Sequence, residues 1–258
     1  MENDLREGKP LKKLLKPQLL PLVTAALGGL ALVLRRLLYR FGTDARGLLV
    51  NNHPLSIALW ALTALAAVYL FAGVRNLDGS EEYEDNFRKS PSAALGHVLA
   101  AAGIAFTVLT EEPRMANYLG QGWQLLGSLA PLCLLLAGAA RLLGKKPFFL
   151  LHLIPSLFLV FHIINHYQMF SGNPQFQDYL FTLLGTMALM FFAFYSASFD
   201  VGLGNRRLHM GMGLAAIYLC LAELAASMYP VLYLGGIAWA LTGQCSPYPV
   251  PKQHQEEQ

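Results

Sequence analysis

Apolar runs about twenty residues long, separated by short segments that carry most of the charge, occupy nearly the whole chain. The runs fall at about 18–38, 55–74, 92–110, 116–140, 148–170, 178–199, 208–228 and 230–243. A helix needs about 20 apolar residues to cross roughly 30 Å of hydrocarbon. The pattern therefore predicts an all-α, polytopic membrane helical bundle of eight transmembrane helices. The last run is short for a crossing, and if it is re-entrant the number of true crossings falls to seven. Residues 1–17 form a basic N-terminal segment, 18–243 the transmembrane domain and 244–258 a polar tail.

Composition supports this reading. The chain is 55% hydrophobic and only 14% charged, with a mean hydropathy of +0.42, whereas a soluble domain carries about 25% charged residues. No stretch is left over for an independent soluble domain. The net charge of +3 is slight, and no basic patch alternates with aromatics, so nucleic acid is excluded as a partner. Cys133, Cys220 and Cys245 have neither metal-knuckle spacing nor a disulfide framework. The first run ends in Arg35 and Arg36 instead of a small-residue cleavage site, which marks a retained span.

The bias of Lys and Arg between alternate loops sets orientation. With the N-terminus in the cytoplasm, most of the nineteen basic residues lie on the inner side. The exception is the first outer loop, with Arg35, Arg36, Arg40 and Arg46, whose side chains are expected to snorkel to headgroups or to pair with Asp44. The expected location is the plasma membrane, with the lipid bilayer as the principal partner. The acidic connector 75–91 is a solvated turn on this reading, or else a surface for a protein partner.

The chemistry begins at Phe148–Phe170, an apolar stretch that nevertheless holds three of the seven histidines. At about 100° per residue, His152, His162 and His166 fall within an arc of roughly 80°, which predicts that one face of this helix looks into the protein. Glu223 is the carboxylate that lies well inside a predicted span, and an ionisable group there is a functional candidate. If both helices run outward, His162 and Glu223 sit about 21–22 Å from the inner ends of their spans. Gln121 and Gln124 share a face of the fourth span. The inner half contributes His97, His152, His209 and Gln244.

These residues predict an outward-facing polar pocket in which Glu223, His162, His166, Gln121 and Gln124 bind a small solute or cation, with a proton exchanged among them. A divalent metal held by His162, His166 and Glu223 is the companion expectation. His152 and His166 are also fourteen residues apart, the interval at which one helix can hold two haems, but no second helix repeats it in full. HExxH, GxSxG and paired intramembrane aspartates are missing from the sequence. The alternatives are a non-catalytic assembly or sensor component, and a metal-dependent enzyme acting on lipid or isoprenoid.

Overall fold

A computed structural model describes residues 16–44, 49–50, 53–75, 77, 79–119, 121–170 and 176–248, with backbone only at 111–119, 121, 169–170 and 176–178. Nine helices are described: α1 Leu20–Phe41, α2 Pro54–Val74, α3 Tyr83–Asn86, α4 Pro91–Leu119, α5 Gln121–Leu143, α6 Leu150–Phe170, α7 Phe176–Asp200, α8 Arg206–Glu223 and α9 Pro230–Thr242. Among the described residues the only β pairing is an isolated bridge between Thr43 and Leu49. Residues 1–15 of the basic segment and 249–258 of the C-terminal tail lie outside the described residues.

Among the described residues six helices are long and apolar enough to cross a membrane: Leu20–Phe41, Pro54–Val74, Pro91–Thr110, Gly122–Leu143, Leu150–Gln168 and Tyr179–Asp200. The chain is a helical multi-pass membrane protein. The two remaining predicted spans are helices of different character. With 18 residues, α8 carries Arg206, Arg207 and His209 in its first turns. With 13 residues, α9 reaches only about 20 Å.

Local sequence sets several boundaries. Proline occupies the first turn of α1, α2 and α9, where its missing N–H is no loss. The Asn205 side chain caps α8 by accepting from Leu208 N–H at 3.1 Å. The predicted span 208–228 stops early. Helix α8 ends at Glu223, and Pro230 starts α9 from Tyr229, which has φ −123° and avoids the helical region as residues before proline do. Conversely, α4 continues as backbone through Leu119, past the loop expected at 111–115.

Helices α4 to α9 form a closed ring, each packing on the next and α9 returning to α4. The hairpin of α1 and α2 stands outside this ring and docks on α8. Lipid tails are as apolar as leucine, so such contacts depend on close approach by small residues and on buried polar links. Both devices are present. A Cβ on Gly103 of α4 would lie 2.8 Å from the Val231 carbonyl oxygen, and one on Gly235 of α9 would lie 2.5 Å from that of Leu99.

The acidic connector does more than turn. Leu77, Tyr83 and Asn86 are buried, and Phe87 stacks edge-on against Phe199 with ring centres 5.1 Å apart. Arg206 Nε donates to Asn86 Oδ1 at 2.6 Å, and Arg207 Nε donates to the Leu77 carbonyl at 2.6 Å. Its apolar side thus closes one end of the ring, while Glu81, Glu82 and Glu84 stay exposed.

Candidate functional site

Glu223 occupies the last residue of α8 and is 2% exposed. Its carboxylate pairs with Arg35 of α1 and accepts from the Thr182 hydroxyl of α7 at 2.6 Å. Arg35 also donates to the Ala222 carbonyl at 3.2 Å and to Tyr39 Oη at 3.3 Å, with its guanidinium 4.9 Å from the Phe181 ring centre. The expectation for Arg35 is corrected here. It is not a loop cation reaching for headgroups but a buried counter-ion, 2% exposed, inside a helix that runs on to Phe41.

His162 and His166 are buried on α6, their ring centres 6.5 Å apart. The Tyr229 ring lies 4.8 Å from that of His162 and 5.8 Å from that of His166. Neither ring nitrogen of His162 has a hydrogen-bond partner. Among the described residues, no three His, Cys, Asp or Glu side chains are grouped so as to hold a metal ion. Of the expected trio, His162 and His166 share a face of α6, while the Glu223 carboxylate is engaged by Arg35 and Thr182. Gln124 is half-buried on α5. The side chains of Gln121, Glu111, Glu112 and Asp178 lie outside those described.

A different cluster carries the more specific geometry, at the end of the ring that the connector closes. His152 Nδ1 lies 2.7 Å from Asp200 Oδ2. His152 Nε2 lies 3.3 Å from His97 Nε2, and Trp239 Nε1 donates to that same His97 nitrogen at 3.2 Å. His97 Nδ1 lies 2.7 Å from the Ala93 carbonyl oxygen. The three ionisable side chains are 7%, 4% and 2% exposed at Asp200, His152 and His97. Four helices supply the parts: α4 gives His97, α6 His152, α7 Asp200 and α9 Trp239.

The partners fix the protons. A carbonyl only accepts and an indole N–H only donates, so His97 carries its proton on Nδ1 and offers a bare Nε2. With His152 donating to the same nitrogen from Nε2, the two N–H groups share its one lone pair. That leaves one further proton for the contact between His152 Nδ1 and Asp200 Oδ2. It resides either on the ring, giving an imidazolium and a carboxylate, or on the oxygen, giving two neutral groups. In both forms the pair holds one shared proton and has no net charge. Both His152 nitrogens are engaged in this arrangement.

Around this chain, Ser196 donates to the Phe192 carbonyl at 2.8 Å and lies 3.1 Å from His209 Nε2. The serine proton is thereby occupied, so His209 donates from Nε2. A small cavity of about 10 Å³ lies among Tyr83, Phe87, His97, Arg141, His152, Ser196, Trp239 and Gly243, room for about one water molecule.

The sequence offers His97 and His152 as inner-half histidines, whereas Asp200 and Arg206 fall just outside the runs 178–199 and 208–228 and so do not stand out. The available signal was an aspartate closing an uninterrupted apolar run. Its partner could not be read, because the two residues lie 48 positions apart. No protein-family model, curated protein or solved structure matches the chain.

Proposed function

We propose that this protein is a proton-coupled carrier of a small solute in the cell membrane, with its exchangeable proton on the Asp200–His152 pair. The supporting observation is the 2.7 Å contact between His152 Nδ1 and Asp200 Oδ2, in which one proton serves two buried groups. Ionisable side chains inside membrane spans mark ion pathways and proton relays, and imidazole changes charge near neutral pH more readily than any other side chain.

His97 is the next station. Its bare Nε2 accepts from both Trp239 and His152, so it takes a proton only when the indole moves aside. The adjoining cavity, large enough for about one water, offers the following acceptor. Since Nδ1 of His97 is tied to a carbonyl, the proton must enter and leave by Nε2. Arg141 and Lys146 act electrostatically on Asp200, and Arg141 and His152 on His209, so a change of charge in the pair would be felt across this end of the ring. Glu223 is assigned a fixed role as the counter-ion of Arg35.

The test is proton entry into vesicles holding the purified protein and a pH-sensitive dye, driven by an imposed acid-outside pH gradient in chloride buffer. Asp200→Asn and His152→Gln are each expected to lower entry at least ten-fold. Entry unchanged in both variants would overturn the reading.

A further inference from the structure

Arg141 is the group at this end that the proton pair does not use. It lies in the last turns of α5, is 6% exposed, and lines the cavity together with His97, His152 and Trp239. One face of its guanidinium is covered by Phe87, with Cζ 4.5 Å from the ring centre. Its buried Nη1 has no hydrogen-bond partner. Among the described residues no carboxylate comes within ion-pair distance of Arg141; Tyr83 is its side-chain partner, and Asp200 acts on it from further off while engaged by His152. A second buried guanidinium, Arg206, meets only neutral acceptors, Asn86 Oδ1 and the Asp85 carbonyl, and its Nη1 is also unpartnered.

A guanidinium taken out of water is costly unless an anion or a full set of acceptors replaces its hydration. The Asp200–His152 pair is neutral in either proton arrangement, so it leaves a positive field at the cavity. The other donors around the space are already committed: Trp239 to His97, Tyr83 Oη to the Lys145 carbonyl at 3.5 Å, and Ser196 to Phe192. The unfilled donor is Arg141 Nη1.

We propose that this cavity is a binding site for a small monovalent anion of halide size, held by Arg141 beside Trp239. The site is close to water-sized, which selects a monatomic ion over sulfate or a carboxylate. The proposal deepens the proton-linked reading by naming the charge of the solute: an anion beside a pair that carries one proton can travel with that proton.

The chain has three tryptophans, Trp60, Trp123 and Trp239. In a Trp60→Phe, Trp123→Phe background, Trp239 alone reports, and bromide is the quenching probe. Quenching is expected to saturate, to be relieved by chloride and to be indifferent to sulfate. Arg141→Gln should weaken the saturable component at least ten-fold, and Arg141→Lys should retain part of it. Linear, non-saturable quenching in the tryptophan background, or saturation that Arg141→Gln leaves unchanged, would overturn the proposal in favour of a water-filled cavity. If Arg141→Gln does not fold, saturation and chloride competition in the background protein decide the question. Proton entry measured on the same preparation separates the two readings. Bromide saturation without proton entry defeats only the proton reading, and proton entry without saturation defeats only this one.

Discussion

Arg35 and Glu223 stand 188 residues apart in the chain and neutralise each other inside the bundle. The first belongs to the outlying α1–α2 hairpin and the second to the ring, so their ion pair crosses the seam where the hairpin docks. Thr182 binds the remaining carboxylate oxygen, tying α7 into the same link.

Breaking that pair from one side should be far worse than removing both halves. A lone buried charge costs about 3–5 kcal/mol, whereas replacing the pair with packed apolar groups is often nearly neutral. Arg35→Met and Glu223→Leu are each expected to lower the unfolding temperature of the detergent-solubilised protein, and the double variant to recover most of the loss. Additive losses would show that the two residues act separately.

Backbone contact between α4 and α9 makes its own forecast. Gly235→Ala would place a methyl group 2.5 Å from the Leu99 carbonyl oxygen, with backbone on both sides of the clash. Overpacking of this kind costs about 1–3 kcal/mol. Gly29→Ala, on the open face of α1 where nothing lies within 4 Å, should lose no stability and serves as the control in the same thermal measurement.

The hydrogen-bond pattern of His97 is directly observable. Nitrogen NMR on ring-labelled protein in lipid is expected to show protonated Nδ1 and bare Nε2. Trp239→Phe should leave that tautomer in place, because Ala93 still holds Nδ1, while shifting the Nε2 resonance through loss of the indole donor. A proton on Nε2 with Nδ1 bare would contradict the arrangement.

Cys245 lies outside the spans, beneath the connector, and is 2% exposed. Burial pushes its thiol up to about 12, and the nearby Arg206 charge offsets this only in part. At pH 8 the thiolate fraction is therefore about one in ten thousand, and raising the pH toward 12 is what would make it reactive. Maleimide at pH 8 should leave Cys245 unmodified over an hour, as read by intact mass in a Cys133→Ala, Cys220→Ala background. Asn86→Ala removes the acceptor for Arg206 Nε and should loosen the connector enough to speed labelling several-fold. Labelling as slow as before would mean that the connector does not protect this thiol.

Much of this architecture was legible residue by residue. Each of the eight apolar runs contains helix, and the boundaries of the second run, 55–74, and the fifth, 148–170, agree with α2 and α6 to within two residues. Transfer from water to hydrocarbon is a local property, summed along a window and nearly independent of neighbours in space. The same locality explains where the reading overshot. Hydropathy passed through Glu223 to residue 228 because it does not register that Pro230 begins a new helix.

Partnership is another kind of quantity. Glu223 was visible as a buried acid, but whether it met His162 or Arg35 depended on which helices touch, and Arg35 had been assigned to a loop. Asp200 looked like an ordinary span end until α6 brought His152 within 2.7 Å of it. The sequence by itself determined which segments leave water and form helices, since each residue's transfer energy and each proline's geometry act within a turn or two. The tertiary structure alone decided which buried charge answers which, because that depends on distances of a few ångströms between residues 48 and 188 positions apart.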